Sequence, residues 1–363
     1  MTDSSDKSIP GDKSIKTSVA RSKNPLYVLA GDVGGTKTNL AIFQVVSGDL
    51  GHELIKIRNH RYSSQSYTSL NGILREFLAE KKEPILSACF GIPGAVKDGK
   101  VKPTNLTWSV DAAELATEFN FRHSYIINDL LANAYGISEL KPNDFETLNV
   151  GEHVTKGNLA VISPGTGLGE AGIYSDGKKF HPFATEGGHT DFGPRNSLEV
   201  AMLEYLMKQF GHVSPERIAS GQGMENIYKF LRDTERGVED PSVAREMATS
   251  DPGAVITKNA MAGTCPMCQQ TLEIFISCLG AEAGNLALKV MATGGVYIGG
   301  GIPVRILSKL RGTSFLDAFC DKGRLSSLVK SMPVHVILND DAALLGSARY
   351  ALNGAEPLIS SQS

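Results

Sequence analysis

An apolar run, Leu26-Tyr27-Val28-Leu29-Ala30, stops at a glycine-dense stretch and resumes as Asn39-Leu40-Ala41-Ile42-Phe43. Short apolar runs bounded by glycine read as strands. A third strand near Leu54 to Arg58, a helix from about Thr68 to Glu80 and a buried strand from Ile85 to Gly91 complete an expected βββαβ unit. Such a unit makes a mixed sheet backed by helices. The strand Ser124 to Asn128 runs directly into a helical pattern from Asp129, with Leu130, Leu131, Ala134 and Ile137 on one face. Asn158 to Ser163, a second glycine turn and Glu170 to Tyr174 then repeat the opening pattern, so an internal duplication of the sheet unit is expected. Helical patterns follow near Glu199–Phe210, Gly223–Asp233, Val243–Met247 and Cys268–Thr293, then a strand Val296–Ile298, a strand Val334–Leu338 and a helix Ala342–Tyr350. Residues 1–24 mix Ser, Asp, Lys and Gly without an apolar run, which predicts a disordered tail rather than a secretory signal.

The chain has 363 residues, enough for two domains, and its 36 basic and 39 acidic side chains leave a net charge of -3. That balance argues against nucleic-acid or anionic-membrane partners bound through bulk charge. The most apolar segment, Leu272 to Met291, is interrupted by Glu273, Glu282 and Lys289, so no membrane span is expected. Five cysteines, an odd set, point to a reducing, cytoplasmic setting. Cys265 and Cys268 form a lone CxxC with no second pair or His pair nearby, which favours a packing role at a helix start over a metal site.

Glycine turns between strands let backbone amides approach an anion, because no Cβ stands in the way. Gly31-Asp32-Val33-Gly34-Gly35-Thr36 fits that role. It is not a Walker A loop, since Thr36 stands where a second glycine is needed, nor a dinucleotide fingerprint, since a strand follows it. Gly165, Thr166 and Gly167 form a second such turn, and the two together would clamp a triphosphate. A third cluster, Gly294 to Gly301 and including Gly300, fits either close packing or a flat nucleoside. Asp129, where a buried strand meets a helix, suits a helix cap or a proton acceptor. Thr185 to Phe192 gathers Glu186, His189 and Asp191 around two glycines, a set suited to gripping a polyhydroxylated ligand.

Gly-Asp-Val-Gly-Gly-Thr, Ile-Ile-Asn-Asp, Gly-Thr-Gly-Leu-Gly, Glu-Gly-Gly-His-x-Asp-Phe, Gly-His-Val-Ser-x-Glu-Arg and Leu-Leu-Gly-Ser occur in this order between Tyr27 and Arg349. Together they resemble the bacterial-type ATP-dependent glucokinases of the hexokinase and actin-like ATPase superfamily. The resemblance implies an α/β, two-domain actin-like ATPase (ribonuclease H-like) fold with a central cleft. It implies a small domain over residues 25–130, a large one over 131–340, and a C-terminal helix in 341–363 returning toward the small domain. It implies transfer of the γ-phosphoryl group of ATP to the 6-hydroxyl of glucose, with Asp129 as general base. Asn105, Asn128, Glu186, His189 and Glu216 would hold the sugar. The nucleotide would lie against Gly31, Asp32, Val33, Gly34, Gly35, Thr36, Gly165, Thr166, Gly167 and Gly300, with Asp32 reaching Mg²⁺ through water. A homodimer is implied as well. Ser163-Pro164 and Glu170 depart from the family's usual spelling without removing a functional group. The cysteine, glycine and asparagine spellings of the zinc-dependent repressor-type sugar kinases are missing. Two alternatives stand beside this reading: a kinase for another hexose, and a non-catalytic sugar-sensing regulator, which an intact Asp129 disfavours.

Overall fold

The computed structural model describes residues 25–48, 51–80, 83–103, 106–152 and 154–359. Strands β1 (Leu26–Val33), β2 (Lys37–Gly48) and β3 (Gly51–Ser63) form an antiparallel meander. Helix α1 (Leu70–Phe77) leads to β4 (Ile85–Ile92), which pairs parallel with β1. A short ladder of β5 (Lys100–Val101) and β6 (Val110–Asp111) and helix α2 (Ala112–Phe119) precede β7 (His123–Asn128), parallel to β4. The sheet order is β3-β2-β1-β4-β7. On α1, Leu70, Ile73, Leu74 and Phe77 share one face at i, i+3, i+4 and i+7, and they pack on the sheet with Leu29, Val33, Leu40, Ile42 and Phe90. Ser69 and Asp111 cap the two helices by accepting backbone N–H groups.

After α3 (Asp129–Gly136) the chain lays down β8 (Phe145–Asn149), β9 (Leu159–Pro164), β10 (Leu168–Ser175) and β11 (Phe180–Ala184). Helices α4 (Ser197–Phe210), α5 (Gly221–Asp233), α6 (Pro241–Met247), α7 (Pro252–Ala262) and α8 (Pro266–Val290) follow, then β12 (Gly295–Ile298). The remainder is α9 (Gly301–Arg305), α10 (Leu307–Leu310), α11 (Thr313–Cys320), α12 (Ser326–Lys330), β13 (Val334–Ile337) and α13 (Ala342–Ile359). The second sheet runs β11-β10-β9-β12-β13-β8. Its first five strands repeat the first sheet in order and direction: two antiparallel pairings, then two parallel ones. The duplication expected from the repeated strand-turn-strand pattern is therefore present in the topology, with β8 added antiparallel to β13. Helix α8 is long and apolar enough, by length and composition alone, to cross a membrane, but most of it is buried in the second core with Phe275, Leu279 and Ala283.

Three expectations change. Strand β3 is 13 residues long, because its outward positions are polar and an edge strand shows little of the apolar pattern that marks a buried one. Helices α2, α7 and α10 to α12 were not anticipated. The face expected on α3 is divided: Leu131 and Ala132 pack toward the first sheet, whereas Leu130, Ala134 and Ile137 pack toward the second. A helix wedged between two sheets has two buried sides. Its neighbour α13 lays Leu344, Ala348, Ala351 and Leu352 on Val28, Ala30 and Phe43 of the first sheet. The two helices touch through their backbones, since a Cβ at Gly136 would overlap the Ala342 carbonyl and one at Gly346 the Ala132 carbonyl.

Candidate active site

Strands β1, β4 and β7 end side by side, with Asp32 opposite Gly91 and Ile92 opposite Asn128. The carboxyl ends of parallel strands are where open α/β sheets gather ligands. At the β7–α3 junction Asn128 is the helix cap: its Oδ1 accepts from Leu130 N at 2.9 Å and Leu131 N at 3.3 Å, and its Nδ2 donates to Gly94 O at 3.3 Å. Capping is thus taken by the neighbour, and the Asp129 carboxyl stands in the first turn of α3, accepting from Leu130 N at 3.0 Å. Among the described residues no Lys or Arg pairs with it. Burial raises its pKa, the amides of Leu130 and Asp129 itself oppose this, and the Glu186 charge adds to it.

Asp32 is raised to about 6, first by burial and then by Asp129, with Asp341 adding a further push. Asn39 and Arg61 pull the other way: Asn39 Nδ2 donates to Asp32 at 3.3 Å and Arg61 Nε to Asn39 Oδ1 at 2.7 Å. Sequence reasoning missed Asn39 and Arg61, although the hairpin register that sets Asp32 opposite Asn39, and Asn39 opposite Arg61, carried the signal.

The structure narrows the first glycine turn. Gly31, Asp32 and Val33 belong to β1, and the turn proper is Gly34, Gly35 and Thr36. Strand alternation sends Val33 into the core, and a Cβ at Gly31 would strike Phe90 and Leu40, so these two offer the cleft backbone only. Ser64 Oγ donates to Gly34 O at 2.7 Å, Gln65 Nε2 to Gly35 O at 2.6 Å and Ser64 N to Thr36 O at 2.9 Å. Tying carbonyls back removes the groups that would repel an anion. In the second turn Gly165 N donates to Gly167 O at 2.8 Å, and Gly221 N, at the start of α5, donates to Gly165 O at 2.8 Å. A cavity of about 420 Å³ opens there, lined among others by Thr166, Gln222, Asp251, Ile302 and Arg305. Gly300 lies beside it at φ +87°, its would-be Cβ 2.6 Å from Pro164 O, so close packing accounts for this glycine. Gly221 and Gln222 at the start of α5 and Asp251 and Gly253 at the start of α7 line this cavity, and sequence reasoning named none of them.

Glu186 and His189 are exposed on the loop after β11. Glu216 joins this loop to the second turn: its Oε2 accepts from Leu168 N at 3.0 Å, and its Oε1 lies 3.8 Å from His189 Nδ1. A Cβ at Gly167 would overlap that carboxylate, a reason for the glycine that phosphate binding alone does not supply. Asn105 lies outside the described residues, as does the 1–24 tail. Cys265 Sγ accepts from Cys268 N at 3.3 Å and caps α8, both thiols being buried.

A family model described as Glucokinase matches residues 29–354. A glucokinase of Trichormus variabilis is 41% identical over 339 residues, 89% of this chain and 98% of its own length. Among solved structures, a glucokinase from an Antarctic psychrotroph superposes with a TM-score of 0.79 at 30% identity, covering 92% of this chain and all of that one. A glucokinase from Balamuthia mandrillaris in complex with glucose, 23% identical with a TM-score of 0.72, covers 93% of this chain and 96% of its own and shares the fold.

Proposed function

The chain belongs to the glucokinase family, and from that premise we propose that it transfers the γ-phosphoryl group of ATP to the 6-hydroxyl of glucose, releasing ADP and glucose 6-phosphate. The observation that carries the residue assignment is Asp129: an uncompensated carboxyl at the strand-helix junction, freed from capping by Asn128 and made more basic by burial. A sugar hydroxyl is a weak nucleophile, and Asp129 accepts its proton as the new O–P bond forms and the bond to ADP breaks. The amides of the two glycine turns hold the phosphates, and the cavity beside Thr166 takes the nucleoside. Glu186, His189, Glu216 and Asn105 meet the remaining sugar hydroxyls, while Asn128 fixes Asp129 and keeps one amide hydrogen for the sugar.

Mg²⁺ suits Asp32, a hard oxygen donor crowded by the Asp129 and Asp341 charges, a repulsion that a divalent cation relieves. When bound, the ion offsets negative charge on the transferring group. The reading includes a small domain over 25–130, a large one over 131–340 and a returning helix in 341–363. It extends to a cytoplasmic homodimer, in keeping with five cysteines that are all free thiols; equilibrium sedimentation tests the dimer.

Coupled assays of Asp129→Ala test the central assignment, with turnover expected to fall by ~10²–10⁴ and glucose binding to suffer less. Near-normal phosphorylation in that variant would sink it. A hexose panel with the wild-type protein decides glucose against its epimers, each lost hydrogen bond costing roughly tenfold.

A further inference from the structure

Glu170, on β10 just after the second glycine turn, is 1% exposed, and Glu282, on α8, is 7% exposed. Among the described residues neither Oε1 has a hydrogen-bond partner, the nearest cation being Lys289 Nζ, 3.5 Å from Glu282 Oε1. The other oxygen of Glu282 accepts from Asn285 Nδ2 at 3.0 Å. A buried carboxylate without a donor is costly, and two that face each other cannot both stay ionised. A single proton answers for both orphans, because a protonated carboxyl donates to the carboxylate opposite it. Helix α8 packs against β10, which brings the two carboxyls together, and the Glu282 charge acts directly on Glu170.

The same glutamate supports the loop that carries Glu186 and His189. The loop backbone runs so close over Glu170 that a Cβ at Gly187 would overlap its Oε2. Glu170 O accepts from Thr185 Oγ1 at 2.9 Å, and Gly187 N donates to that hydroxyl at 3.2 Å. Glu186 thus sits between two residues seated on Glu170.

We propose that Glu170 and Glu282 share one proton and that this acid–carboxylate pair is the positioning element that holds the Thr185–His189 loop for the sugar. The proposal rests on the reading of that loop as the sugar site. Neither glutamate touches the substrate; both act through the loop.

Among the described residues, the charged groups that act on the pair or stand over it are Lys289, Lys322 and Glu186. Lys289, half-exposed on α8, stands 3.5 Å from Glu282 Oε1. Lys322, whose Nζ donates to Ala281 O and Asn285 Oδ1 at 2.9 Å each, approaches Glu282 from beyond α11, and burial lowers its pKa. Glu186 lies on the loop above. Burial first and Glu282 second push the Glu170 carboxyl up to about 8, with Lys289 opposing. An acid so raised is neutral below that pH and charged above it, so alkali places a second negative charge beneath Glu186.

The test is steady-state kinetics of the full-length wild type and Glu170→Gln across about pH 6 to about 9.5, with glucose and ATP varied in turn, because this span brackets the raised carboxyl. In the wild type the glucose KM is expected to rise roughly tenfold through this range while the ATP KM does not follow, a tenfold change per pH unit being the ceiling for one proton. Glutamine keeps the shape and a neutral donor, so Glu170→Gln should match the wild-type glucose KM at neutral pH and lose the alkaline rise. A variant that keeps the rise, or an ATP KM that climbs in parallel, overturns the proposal. Infrared difference spectroscopy is the second arm: a protonated-carboxyl band should be present at neutral pH, fade in alkali and be missing in Glu170→Gln. Absence of the band in the wild type overturns the shared proton whatever the kinetics. A wild type that shows the band but phosphorylates no hexose refutes the sugar site and with it the positioning role, leaving the proton pair standing.

Discussion

Two strand-to-helix junctions of the duplicated fold carry similar residues and differ in charge. At the first, β7 ends in Asn128-Asp129 and α3 begins; at the second, β13 is followed by Asn339-Asp340-Asp341 and α13 begins. In both, an asparagine folds back on the helix start: Asn128 takes Leu130 N and Leu131 N, and Asn339 Oδ1 takes Asp341 N at 2.9 Å. Asp341, however, forms an ion pair with Lys56 of β3, whereas among the described residues no cation pairs with Asp129, which feels the charge of Glu186. The fold unit supplies the place for a carboxyl. Whether that carboxyl stands uncompensated or forms half of an ion pair is decided by what the rest of the chain brings beside it.

The largest expected effect breaks the comparison directly. Asp129→Asn should cost ~10²–10⁴ in kcat, and Asp341→Asn less than about tenfold; coupled assays showing equal losses would erase the distinction. Next is the backbone contact through which the two junction helices meet. Gly346→Val inserts a side chain where even a Cβ overlaps Ala132 O, so thermal unfolding should show a loss of at least about 1–3 kcal/mol. The pH profile sharpens the contrast further. Asp129 accepts a proton only when ionised, and its pKa lies above the ordinary 3.8, so kcat/KM for glucose should fall on an acid limb displaced upward. Glu186→Gln removes one of the upward influences and should move that limb to lower pH, while raising the glucose KM more than the ATP KM. The smallest effect is at the paired junction: Lys56 and Asp341 are about one-third exposed, and Lys56→Met should change stability by no more than about 1 kcal/mol. A larger loss would mean that Asp341 depends on Lys56 more than an ordinary surface pair does, whereas no loss at all would leave Asp341 as uncompensated in practice as Asp129.

Legibility in the sequence followed burial and locality. Strands β1, β2, β4, β7, β9 and β10 were plain because an apolar run between turns leaves little choice of backbone. Helix α7 was hidden by Pro252-Gly253 at its start, which reads as a turn until Asp251 is recognised as its cap. The site divides similarly. The glycine turns and the Glu-Gly-Gly-His loop stand out by residue type, while Asp129 read alone stayed open between helix cap and proton acceptor, because aspartate caps helices well, and only the resemblance assigned it the base and Asn128 the sugar. Val33 and Gly31 were grouped with the phosphate turn although alternation from Leu29 already pointed both into the core.

The sequence by itself determined the two strand-turn-strand units, the glycine turns and the identity of the polar residues offered to the cleft, since these depend on backbone preferences over a few neighbouring residues. Tertiary structure alone decided which groups stand beside the carboxyls of Asp129, Asp341, Glu170 and Glu282. Asp341 meets Lys56 across 285 positions of chain, and Glu170 meets Glu282 from another part of the fold altogether. Charge state depends on desolvation and on nearby charges, and both exist only once distant segments have packed together.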